Sequence, residues 1–175
     1  MIAGIDLSTK AVEIVLRPDL GPCEWKHLDI DPGPKMKEPD ALAARALAEA
    51  FPRGTWWDGV WLCGVEYPFT AGKAMFQSVG LKTIMGACMA LIPPRVHVIP
   101  LPANFWQGRF VGRRGRDFGE EAMPRKSADR KPLIAARARE LLAEAGDSPT
   151  GWTQDALDAY GISWVVEHYN DGTLR

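Results

Sequence analysis

Met1-Ile2-Ala3-Gly4-Ile5-Asp6-Leu7-Ser8-Thr9-Lys10-Ala11-Val12-Glu13-Ile14-Val15-Leu16 opens the chain with two apolar runs joined by a short polar turn. Ile2 to Ser8 has the length and composition of a strand, and Val12 to Leu16 is a second, broken only by Glu13. Cys23 to Ile30 alternates in part, with Trp25, Leu28 and Ile30 apolar among Glu24, Lys26 and Asp29, and reads as a third, half-exposed strand. Pro18 and Gly21-Pro22 punctuate the link before it. Three consecutive strands with links this brief predict an antiparallel meander, because parallel neighbours need a crossover of a dozen residues or more.

Farther along, the pattern changes. Asp40 is placed to cap a helix from Ala41 to Phe51, which Pro52-Arg53-Gly54 stops. Val60 to Glu66 is a buried-type strand, Lys73 to Ile92 has helical apolar spacing ended by Pro93-Pro94, and Val96 to Leu101 is a fifth strand. Strand, helix, strand predicts a βαβ unit with its two strands parallel. After Asn104, Gly108, Gly112, Gly115 and Gly119 predict a mobile loop over about 107–131. Pro132 suits the first turn of a helix running to about Ala145. Thr153 can cap a last helix through Tyr169, with Trp152 and Leu157 as a hydrophobic staple. The expected fold class is α/β, with one domain over 1–175 and a five-stranded mixed sheet flanked by helices.

The chain has 175 residues, 46% of them hydrophobic and 25% charged, which suits one domain with a sizeable core. No apolar run is long enough to span a bilayer, and the first residues lack the basic region of a secretion signal. The expected location is the cytoplasm, with no membrane partner. Cys23, Cys63 and Cys88 lack the spacing of a zinc site, and their odd number argues against a disulfide framework. His27, His97 and His168 are isolated in sequence. Net charge is −1, yet Arg109, Arg113, Arg114, Arg116, Arg125, Lys126, Arg130 and Lys131 crowd into one segment with only four acids. A basic stretch on an acidic body fits a localised contact with a polyanion.

Three places put an acid where a core residue is expected. Asp6 follows Ile5 at the end of the first strand, and Glu66 ends the apolar run that starts at Val60. Asp155 and Asp158 stand three apart in the last helix, hence on one face. A carboxylate among apolar neighbours is costly unless it is paired, hydrogen-bonded or bound to a metal. Clustered acids repel and raise each other's pKa, so a cluster persists best around a divalent cation. Oxygen-only ligands suit Mg2+ or Mn2+. Two such ions serve phosphodiester hydrolysis by activating water and stabilising the leaving oxygen.

Gly4-Ile5-Asp6-Leu7-Ser8, Val65-Glu66-Tyr67-Pro68-Phe69 and Asp155-Ala156-Leu157-Asp158-Ala159-Tyr160-Gly161 resemble, in order and spacing, the three acidic motifs of RuvC-type Holliday junction resolvases. Gly80-Leu81-Lys82-Thr83-Ile84-Met85-Gly86-Ala87 resembles that family's helix after the second motif, and Val98-Ile99-Pro100 its next strand. The resemblance implies an RNase H-like fold, with Asp6 and Glu66 on adjacent strands facing Asp155 and Asp158. It implies a homodimer holding two Mg2+ per active site on those four acids, with Mn2+ able to substitute. It implies paired cuts at a four-way DNA junction that leave 5′-phosphates. Lys131 matches a lysine that supports phosphate binding or cleavage, and Phe69 an aromatic that can stack on an unpaired base near the crossover. Arg109, Arg113, Arg114, Arg116 and Lys126 are candidate backbone-phosphate contacts. The family often has Pro-Gly after its first Asp, where this chain has Leu7-Ser8.

Two other readings of the same acids stand beside this one: a related nuclease acting on forks, flaps or RNA–DNA hybrids, and a non-catalytic module that binds branched DNA. Gly4-Ile5-Asp6-Leu7-Ser8-Thr9 also resembles the first phosphate loop of actin-like ATPases and sugar kinases. Those proteins clasp a nucleotide between two domains, and 175 residues supply one, so no nucleotide cofactor is expected.

Overall fold

The computed structural model describes residues 1–31, 39–67, 77–112, 123–124 and 126–170. Strands β1 (Ile2–Leu7), β2 (Ala11–Arg17) and β3 (Glu24–Asp29) form the antiparallel meander. Helix α1 (Pro39–Ala50) follows, then a 3-10 turn at Gly54–Trp57, then β4 (Leu62–Tyr67), α2 (Gln77–Leu91) and β5 (His97–Pro102). β4 pairs parallel with both β1 and β5, so the sheet order is β3-β2-β1-β4-β5. Three helices close the chain: α3 (Ala103–Phe110), α4 (Ser127–Glu144) and α5 (Gln154–Asn170).

Alternation along the strands divides the core in two. Ala3, Ile5, Leu7, Val12 and Ile14 face α1 and α2, where they meet Ala43, Leu47, Ile84 and the buried thiol of Cys88. Ile2, Val15 and Leu62 face α5. That helix is apolar nearly all round, with Ala156, Leu157, Ala159, Tyr160, Ile162, Val165 and Val166 buried, because it lies between the sheet and the layer of α3 and α4. It starts as its sequence predicts: the Thr153 hydroxyl accepts from the Ala156 amide at 3.0 Å, and Trp152 and Leu157 belong to one apolar cluster.

Two facing glycines set how close α5 lies. Gly4 and Gly64 are register partners on β1 and β4. A Cβ on Gly4 would lie 2.0 Å from the Ala159 carbonyl oxygen, and one on Gly64 2.8 Å from Ile162 Cγ2. From Gly4 to Asp6 is two strand residues, about 6.7 Å, and from Ala159 back to Asp155 is one helical turn, about 6 Å. The same steps lead from Gly64 to Glu66 and from Ile162 to Asp158. Close contact at the glycines therefore carries the two pairs of acids toward each other one step farther on.

Several local expectations need correction. Helix α3 occupies residues assigned to loop, because Trp106 and Phe110, one turn apart, are both buried against α5, which outweighs Gly108 as a breaker. Helix α4 begins at Ser127, so Pro132 is its sixth residue rather than part of its first turn. The segment 107–131 is therefore helical at both ends. Helix α1 begins at Pro39, which places Asp40 inside its first turn and not at the cap. Among the described residues no helix is long and apolar enough to cross a membrane.

Candidate active site

Asp6 comes from the end of the central strand β1, and Asp155 and Asp158 from the first turns of α5. One carboxylate oxygen from each lies within 4.8 Å of the others. Glu66, on the neighbouring strand β4, stands outside this closest trio, yet its charge is the strongest electrostatic influence on Asp6. Asp6 is held well above the usual carboxylate range, first by desolvation and then by Glu66, Asp158 and Asp155. Burial pushes Glu66 up to about 7 and Asp158 to about 6, with their acidic neighbours adding to both. The donors are all hard oxygens, and their mutual repulsion is relieved by a divalent cation. On both counts the site fits one.

Neutral and basic groups aim the carboxylates. The Trp106 indole N–H donates to Glu66 Oε2 at 2.9 Å. Gln154 donates to Asp158 Oδ1 at 2.8 Å from one turn earlier in α5. Lys131 Nζ lies 3.4 Å from Asp155 Oδ1, an ion pair that joins α4 to α5. Burial opposes the Lys131 charge, but Asp155, Asp158 and Asp6 together raise its pKa. Gln107, on α3, accepts from Arg130 of α4 at 2.7 Å.

Arg109 lies over the Phe105 ring at 3.6 Å, on α3, and Lys126 is exposed at the start of α4. Phe69, Arg113, Arg114 and Arg116 lie outside the described residues.

Sequence reasoning missed Trp106 and Gln154. In sequence Trp106 is one of seven tryptophans, and its spacing to Phe110 marks only a buried helical face. A donor that fixes a metal-binding carboxylate typically affects metal affinity or activity by about 10–100-fold. Trp106→Phe keeps an aromatic ring and deletes the N–H. A loss of metal affinity in that range is expected, measured by calorimetric titration on protein shown by melting to be folded. An unchanged affinity would remove Trp106 from the site.

No family model matches the chain, and no curated protein matches its sequence. Solved structures do. The chain is similar to "T. thermophilus RuvC in complex with Holliday junction substrate" at 15% identity and a TM-score of 0.59, covering 98% of this chain and 96% of that one. It is similar to "Thermus thermophilus RuvC structure" at 16% identity and the same TM-score, covering 99% and 97%. With the sheet order and the helix layers found above, end-to-end overlap of this kind gives the chain the RNase H-like fold of RuvC.

Proposed function

We propose that the chain is a metal-dependent endonuclease that resolves four-way DNA junctions. The observation that carries this is the meeting of Asp6, Asp155 and Asp158 within 4.8 Å, with the charge of Glu66 acting on Asp6, on a RuvC fold. Asp6, Glu66, Asp155 and Asp158 would hold divalent ions, two Mg2+ by preference with Mn2+ as substitute, which activate water and stabilise the leaving oxygen. Lys131 offsets part of the acids' charge and reaches the scissile phosphate. Trp106 and Gln154 keep Glu66 and Asp158 from turning away. Arg109, Arg113, Arg114, Arg116 and Lys126 hold backbone phosphates of the flanking arms, and Phe69 stacks on a base at the crossover. A homodimer pairs two such sites with the two-fold symmetry of a junction, giving paired cuts that leave 5′-phosphates.

The direct test is incubation with a synthetic four-way junction, a fork, a flap, an RNA–DNA hybrid and a linear duplex, each with and without Mg2+. Symmetric cutting of the junction, only with metal, is expected. Preferential cutting of another substrate would keep the chemistry and change the substrate. Tight junction binding without cutting would make the chain a binding module.

The same acids predict how metal acts on stability. A carboxyl whose folded pKa is raised favours the folded state while protonated, and that contribution is lost as pH rises through its folded value. For Glu66 and Asp158 the loss begins as pH passes the ordinary carboxylate range and is complete at about pH 7 and about pH 6, respectively. The rise in melting temperature on adding Mg2+ should therefore be larger at about pH 8 than at about pH 5.5, because protons compete with metal for the same oxygens. An equal rise at both pH values, in a melting series against an EDTA control, would place the metal elsewhere.

A further inference from the structure

Beside the acids, the sheet carries a second ionisable arrangement. Glu13 is the register partner of Asp6, and His27 is the register partner of Glu13. Side chains directly opposite in neighbouring strands share a face, so the three form one row across β1, β2 and β3 on the side of α5. Glu13 interrupts an apolar strand and is 3% exposed. Its Oε1 lies 2.6 Å from His27 Nδ1 and accepts from the Thr153 hydroxyl at 3.5 Å. Its Oε2 is buried without a hydrogen-bond partner among the described residues.

For the fold alone this is expensive, since an apolar residue would cover the same ground without desolvating a charge. What the arrangement secures is the orientation of a ring. Nδ1 is held by Glu13, the side chain is 48% exposed, and Nε2 is the nitrogen left for another partner. Thr153 ties this pair to the start of α5, the turn that carries Asp155, and the Asp155 charge reaches both Glu13 and His27. The pair therefore flanks the acidic cluster. A DNA strand entering that cluster meets repulsion, and Lys131 is the cation found to act on Asp6. A second donor at the mouth supplies what a phosphate backbone requires.

We propose that His27, locked by Glu13, contacts a backbone phosphate of the bound strand next to the scissile one, through a hydrogen bond that Nε2 donates when the ring is protonated. This rests on the nuclease reading and deepens it. Among the described residues, the groups facing the ring are Glu13 from β2, Asp29 from its own strand, and Asp155 from α5. The hydrogen bond from Glu13 first, then the charges of Glu13, Asp29 and Asp155, outweigh burial and raise the His27 pKa. The contact therefore strengthens as pH falls and the ring gains its charge.

The experiment measures junction binding without Mg2+, as a function of salt, at about pH 6 and about pH 8. Wild type, His27→Ala, His27→Arg and Glu13→Gln are compared, each checked for folding by melting. Titration of Glu66 and Asp158 is common to all four and cancels in the comparison. At the lower pH, His27→Ala should bind about tenfold more weakly, and the slope of log affinity on log salt should fall by about one. His27→Arg should keep the wild-type slope at both pH values, because its charge does not titrate. Glu13→Gln should match wild type at the higher pH and weaken at the lower. A wild type that binds while His27→Ala shows the same slope and affinity overturns the proposal, as does His27→Arg behaving like His27→Ala. A wild type that binds no junction overturns the nuclease reading itself.

Discussion

Asp6→Asn is expected to eliminate junction cleavage while leaving junction binding intact. Asp6 sits at the centre of the acid cluster: it belongs to the closest trio, and the charges of Glu66, Asp158 and Asp155 all act on it. An amide in its place offers metal a neutral oxygen and loses one of the negative charges that make the site attractive to cations. Charge stabilisation at such a site is worth several kcal/mol, and at about 1.4 kcal/mol per tenfold the rate should fall about a thousandfold or more. Binding should survive or tighten slightly, because removing a carboxylate lowers repulsion toward phosphate. Single-turnover cleavage and gel-shift binding of the same junction separate the two effects. Lost binding with an unchanged rate per bound complex would show that Asp6 serves the interface and not the chemistry.

Gly4→Ala is expected to be strongly destabilising. The added Cβ would lie 2.0 Å from the Ala159 carbonyl oxygen and 2.6 Å from the Ser163 amide nitrogen, both backbone atoms of α5. Neither can rotate aside, so the helix must lift from the sheet. Lifting it opens contacts that bury Ala159, Ile162 and Val166. Overpacking against movable side chains costs about 1–3 kcal/mol, and against backbone the cost should reach on the order of 4 kcal/mol or more. That is a large share of the ~5–15 kcal/mol that holds a domain folded. Chemical denaturation of wild type and Gly4→Ala measures it directly. A change below about 1 kcal/mol would mean that α5 has room to spare. Gly86, in α2, meets nothing within 4 Å on gaining a Cβ and serves as the control, since alanine is there the better helix former.

These two experiments touch the same design from either end. Gly4 sets how closely α5 lies on β1, and that closeness delivers Asp155 and Asp158 to Asp6. Much of this was legible in the sequence. Period-two apolar runs with brief links identified the meander of β1 to β3, and the stretch from 60 to 101 identified the parallel pair β4 and β5. An acid at the end of an apolar strand is anomalous wherever it occurs, so Asp6 and Glu66 stood out before any fold was known. The spacing of Asp155 and Asp158 placed both on one helical face.

The tertiary structure decided the rest, because the deciding contacts join residues far apart in the chain. Nothing local distinguishes Trp106 from the other tryptophans until α3 packs on α5 and turns its indole N–H toward Glu66. Glu13 reads as a blemish in an apolar strand until the register sets it between Asp6 and His27. Local pattern follows from the periods of helix and strand, which a sequence carries residue by residue. Which carboxylates share a pocket, and which neighbours hold them, depends on how layers of the fold stack, and that is set by close contacts such as those at Gly4 and Gly64.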